Sequence, residues 1–160
     1  MQAVRDFFIP CYDMPERQER TGKMKPYKHK VQYYETDQMG IVHHSNYIRW
    51  FEEARHDYLK RAGFPYEEIE ARGIIIPVLT ADCEYKAAVR FGEKVKIVSS
   101  LESFNGLRFE LAYHVYTEDG TVLHASGRTG HCFLDRNMRP VNIKKKAPDI
   151  YECFCQHVKK

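Results

Sequence analysis

Two dipeptides constrain this chain more than any other feature. Asn105-Gly106 and Asp119-Gly120 each lie between segments in which apolar and polar residues alternate, 93–103, 107–117 and 121–134. Alternation with period two marks a strand buried on one face. Asn-Gly and Asp-Gly supply the positive φ that reverses a strand onto its neighbour. Three consecutive strands are therefore antiparallel neighbours in a sheet whose apolar face needs a cover.

The cover lies upstream. Residues 27–35 alternate as a further strand, and 36–44 form a turn around Gly40. A helix is expected from Ser45 or Asn46, both good N-caps. Tyr47, Phe51, Ala54, Tyr58 and Ala62 make an apolar stripe that Trp50 and Leu59 widen. Gly63 suits the position after the helix, and Pro65 prevents continuation. A short helical turn over 65–72 follows, then a long strand over 74–88, irregular near Pro77. The order strand, helix, four strands predicts an α+β layer: a five-stranded antiparallel sheet with one long helix covering its apolar face.

With 160 residues, the chain suits one domain with a substantial core. The domain is expected over 27–143, with an N-terminal extension at 1–26 and a C-terminal tail at 144–160. In the extension, Phe7, Phe8 and Ile9 are the residues able to dock. A net charge of +3 is too mild for a nucleic-acid partner. No apolar run approaches the ~18 residues of a membrane span. Five cysteines without a secretory leader suggest free thiols and a cytoplasmic location. Cys153-Phe154-Cys155 does not have the spacing of a usual zinc knuckle and has no second pair, so it reads as part of a mobile tail. His114, His124 and His131 make no convincing metal set. There is no P-loop and no GxGxxG. No cofactor and no metal is called for.

The chemistry concentrates in Tyr33–Tyr47. Asp37 and His44 stand seven residues apart across the Gly40 turn, just before the helix. A carboxylate can act as base or nucleophile, and a helix start offers unpaired N–H groups to a developing oxyanion. The residues alone equally allow Asp37 to cap the turn and His44 to be a hydrogen-bonded helix-terminal histidine.

This order of elements, with its motif between first strand and helix, resembles the hotdog-fold thioesterases of the 4-hydroxybenzoyl-CoA thioesterase superfamily. The likeness is to its branch of bacterial acyl-CoA thioesterases associated with the Tol-Pal system. The matching residues are Glu35-Thr36-Asp37, Gly40, Ile41-Val42, His44 and Tyr47, then Glu84–Glu93, then Gly127–Asp135 with Arg139-Pro140. Met39 departs from the small residue usual at its position, and the extension has no counterpart. The resemblance implies a hotdog fold and hydrolysis of an acyl-CoA or aryl-CoA thioester. It implies catalytic roles for Asp37, His44 and Gly40: Asp37 as base or nucleophile, the backbone N–H at His44 as oxyanion donor, and Gly40 for close approach of the loop. It also implies a homodimer or homotetramer with the site between subunits, and an open edge strand needs a partner on physical grounds as well.

The phosphates of CoA require cations. Lys86, Arg90, Lys94, Arg128 and Lys144-Lys145-Lys146 are available; Arg90, Arg128 and Lys86, with Tyr47, are carried forward as substrate-binding residues. His43 points elsewhere and reads as packing or subunit contact. Glu52 and Glu53 read as solvated or interface charges. Tyr33, Tyr34, Ile75 and Val78 are either pocket lining or, on the safer reading, core. Two alternatives remain: a hotdog hydratase or dehydratase, disfavoured because Gln38-Met39-Gly40 follows Asp37 where Asn-Pro is usual, and a non-catalytic acyl-CoA-binding module.

Overall fold

A computed structural model describes residues 24–159. The chain runs β1 (Tyr27–Lys30), α1 (Ser45–Arg61), α2 (Tyr66–Ala71), β2 (Val78–Tyr85), β3 (Lys94–Phe104), β4 (Arg108–Thr117), β5 (Leu123–Cys132), α3 (Ile143–Lys146) and α4 (Pro148–His157). The five strands form one antiparallel sheet in the order β1-β3-β4-β5-β2. This is the predicted α+β architecture.

The hairpins form where the turn chemistry places them. Phe104 faces Phe109 across the first turn, where Asn105 Oδ1 accepts from the Leu107 and Arg108 N–H groups and Gly106 has φ +85°. At the second turn the reversal is wider, and β5 begins at Leu123 rather than 121.

α1 lies across the inner face of the sheet. Tyr47, Trp50, Phe51, Ala54, Tyr58 and Leu59 are buried there as the stripe requires. Phe51 stacks on Tyr113 of β4 at 4.5 Å. Gly127 of β5 lets that ring approach, since a Cβ there would stand 2.5 Å from it. Successive strand residues face opposite sides, so Arg128 points away from α1.

Three expectations change. The first strand stops at Lys30, because residues 33–35 form a 3₁₀ turn that carries Glu35 into the interior. The strand expected over 74–88 is regular only over β2, although Ile75 bridges Leu134. The mobile tail is instead two helices, α3 and α4. Asn142 caps α3, Pro148 starts α4, and Ile143, Ile150 and Phe154 are buried. Phe154 meets Phe104, Phe109 and Phe133 at 4.9–5.6 Å, and this apolar contact orders the segment. Cys153 then lies against Ala62 O, and burial pushes its thiol up to about 11.

The N-terminal extension, up to residue 23, lies outside the described residues with Phe7, Phe8, Ile9 and Cys11; Met24 packs against the core.

Candidate active site

The loop between the 3₁₀ turn and α1 is a small ladder closed by a tight turn. Asp37 N–H donates to Ile41 O at 2.8 Å, Gly40 N–H to Asp37 O at 2.9 Å, and His43 N–H to Glu35 O at 2.8 Å. Gly40 has φ +74°, which an L side chain adopts only with strain. On its outer side the loop is tied to residues 89–90: Val42 N–H donates to Val89 O, and Ile41 bridges Arg90. This places the Arg90 guanidinium beside Gly40, 3.9 Å from where a Cβ would stand.

Asp37 is half-buried. Its Oδ1 accepts from Met39 N–H at 2.8 Å, so it does cap the turn. Its Oδ2 takes no partner among the described residues and remains available to a ligand.

The start of α1 differs from expectation. Ser45 is the first helical residue, and Asn46 turns inward to donate to Glu35 O at 2.7 Å. His44 is the N-cap and makes no side-chain cap bond; the first helical N–H, of Ser45, is taken instead by His43 Nδ1 at 3.3 Å, which also lies 2.8 Å from Ser45 Oγ. An Nδ1 that accepts leaves the proton on Nε2. His44 is exposed and its ring rests on His43 at 4.0 Å. The His44 N–H has no partner among the described residues, so one amide at the positive end of the helix is open to an anion.

Of the other site residues, Tyr47 is buried rather than lining an open wall, and burial pushes its hydroxyl up to about 12. Lys86 is exposed at the end of β2 and pairs with Glu84 at 3.0 Å. Arg128 is on the outer sheet face, 3.6 Å from Glu110, so within one chain it is not brought to the loop. Tyr33 and Tyr34 are 78% and 80% exposed and Val78 is half exposed, so none of them is core. Tyr33 meets Phe91 edge-on at 5.7 Å, leaving aromatic surface beside the loop. Glu53 accepts from Tyr27 OH at 2.8 Å. His124 lies 3.2 Å from Ala87 O, and His114 stacks on Tyr116.

Tyr85 was not evident from the sequence. Its hydroxyl donates to His44 O at 3.1 Å, and its ring meets Tyr47 at 5.2 Å. The end of edge strand β2 is thereby joined to the helix start. Its one sequence signal is an aromatic residue in an otherwise polar stretch. An acid that accepts hydrogen bonds in the loop, a helix start with an open amide and an adjacent guanidinium suit attack on a carbonyl carbon with charge developing on oxygen.

Residues 31–155 match the model of the thioesterase-like superfamily. The Bacillus subtilis protein named "Putative acyl-CoA thioesterase YneP" is 33% identical over 125 residues, which cover 78% of this chain and 91% of that protein. A DHNA-CoA thioesterase from Staphylococcus aureus superposes with a TM-score of 0.79 at 33% identity, over 82% of this chain and 89% of that one. A hypothetical protein, TT1821, from Thermus thermophilus superposes with a TM-score of 0.76 at 39% identity, over 82% and 98%.

Proposed function

Because the chain belongs to the thioesterase-like superfamily, we propose that its reaction is carried by Asp37 and the start of α1. The enzyme hydrolyses an acyl-CoA thioester to a free acid and CoA. The observation that carries the assignment is the Asp37 carboxylate: one oxygen is held by Met39 N–H and the other is free, on a loop tied at both ends. Asp37 either removes a proton from an attacking water or attacks the thioester carbon itself. In both cases negative charge develops on the carbonyl oxygen, and the open His44 N–H at the positive end of α1 stabilises it. The carbon–sulfur bond then breaks and the CoA thiolate leaves, taking up a proton. When Asp37 is the nucleophile, water hydrolyses the resulting anhydride. Gly40 lets the loop backbone approach the ester, and Arg90 is the cation best placed for an anionic part of the substrate. Lys86 and Tyr47 border the same end of the molecule.

The protein acts as a homodimer or homotetramer in this reading, in a cytoplasmic setting. The support for assembly is the contrast between the sheet edges. β1 has four residues and presents Lys28 and Lys30, which discourage pairing. β2 has eight and leaves Val78, Leu79 and Tyr85 about half exposed. A second chain paired on β2 stands next to Tyr85, and so next to His44. The domain assignment becomes one thioesterase domain that includes α3 and α4. Among the described residues no helix is long and apolar enough to cross a membrane.

The experiment is thiol release from a panel of acyl- and aryl-CoA thioesters, wild type against Asp37→Asn. Turnover that falls at least 100-fold in the variant, with CoA-ester binding retained, is the expected result, in line with the loss of a general base or nucleophile. Undiminished turnover in Asp37→Asn overturns the assignment.

A further inference from the structure

The residue that ties the Asp37 loop to the helix start is Glu35, which takes no part in the chemistry above. It is 5% exposed. Its carboxylate accepts from Trp50 Nε1–H at 2.7 Å, from Gln32 N–H at 2.7 Å and from His29 Nε2 at 2.9 Å. Its backbone carbonyl accepts from Asn46 Nδ2–H at 2.7 Å and from His43 N–H at 2.8 Å. Five donors, from β1, the residue that caps the 3₁₀ turn, the end of the loop and two positions on α1, converge on one residue.

An apolar side chain would fill this space without the cost of desolvating a charge. A carboxylate with a full set of donors does something else: each donor fixes it in one direction, and a satisfied buried network holds a single geometry. Burial works to raise the pKa of Glu35, but the hydrogen bonds from Gln32, Trp50 and His29 outweigh it and hold the carboxyl below its ordinary value. Asp37 follows two residues later on the same ladder. On the facing side, His43 N–H is committed to Glu35 O and Ser45 N–H to His43 Nδ1, which leaves the His44 N–H between them open.

We infer that Glu35 is a positioning residue for thioester hydrolysis, with Asn46 as its partner on α1. Together they set the Asp37 carboxylate against the open His44 amide. The inference rests on the catalytic roles proposed for Asp37 and the helix start.

Glu35→Gln keeps the shape but replaces one acceptor with an NH₂ that opposes a donor. Asn46→Ala removes the bond to the Glu35 carbonyl and keeps a good helix former. Both are measured for kcat and KM per folded molecule, with the folded fraction read by circular dichroism, alone and combined with Asp37→Asn. A displacement of the reacting groups of about 1 Å costs up to about 100-fold in rate. The expected result is therefore a fall in kcat of about 10- to 100-fold, KM within about twofold of wild type, and no further loss when either change is added to Asp37→Asn. A role in stability alone lowers the melting temperature and leaves kcat per folded molecule intact; that result overturns the inference, as do losses that multiply with Asp37→Asn. If Glu35→Gln does not fold, Asn46→Ala decides on the same readouts. Undiminished turnover in Asp37→Asn alone is a distinct outcome, because it removes the proposed chemistry and not only its positioning.

Discussion

Arg55 of α1 donates to His131 Nδ1 of β5 at 2.8 Å, joining helix to sheet through a guanidinium and an imidazole that are both buried. The chain of contacts continues from His131 Nε2 to Thr129 Oγ1 and on to Tyr113 OH, each at 2.7 Å. Since Nδ1 accepts from a cation, the imidazole is neutral. Arg55 Nε lacks a partner among the described residues, and Glu52, at 3.9 Å, is mostly solvated. The interior thus contains a cation that is hydrogen-bonded to a neutral ring and whose nearest counter-charge, Glu52, stands largely in solvent.

This pairing makes stability fall with acidity. Burial, with the Arg55 charge beside it, pushes His131 down to about 4, from an ordinary 6.5. Above pH about 6.5 the ring is neutral in both folded and unfolded chains, so it adds no pH dependence. Between pH about 6.5 and 4 the unfolded chain binds the proton and the folded one does not. Unfolding free energy therefore falls as pH drops through that window, by on the order of 3 kcal/mol. Urea unfolding at closely spaced pH values measures this, and His131→Gln is expected to flatten the slope. Arg55→Met, which removes the charge, is expected to reduce it. Glu35, held below its ordinary value, adds a loss of the same sign only at lower pH.

Truncating Phe154 tests whether α4 belongs to the fold. Phe154→Ala removes a ring buried against three other phenylalanines, and such a change costs about 3–5 kcal/mol. One cooperative transition, shifted to lower denaturant, is the expected outcome in equilibrium unfolding. A midpoint like that of wild type would mean that the C-terminal helices do not contribute to the core.

Assembly through β2 is tested by a charge on its exposed apolar surface. Leu79 is 48% exposed in one chain, so Leu79→Glu costs the single subunit little but opposes burial between two. Sedimentation velocity is expected to show a shift to monomer, with a matching loss of thioesterase turnover. A monomeric variant with full turnover would place the whole site within one chain.

The long apolar helix stripe, the Asn105-Gly106 turn and the strand alternation were legible in the sequence because each is a local matter of side-chain period and turn chemistry. The Asp37–His44 motif was legible for the same reason, since a short stretch holds the acid, the glycine and the helix start together. Four features were decided only by tertiary structure. Glu35 stands in the sequence only as the acid that opens the motif, and the convergence of donors from Gln32, His29 and Trp50 is what makes it a buried one. Ile150, Phe154 and Val158 recur at helical spacing, but the face they make is ordered only because Phe104, Phe109 and Phe133, distant in sequence, form the pocket for Phe154. Arg128 alternates with Gly127 along the strand, but only the packing of Phe51 of α1 against Gly127 decides that Arg128 is the one turned to the outer face. Arg55 and His131 are 76 positions apart, and their coupling exists only where helix and sheet meet. Period and turn type are properties of neighbours along the chain, whereas burial and charge compensation depend on what the fold brings alongside.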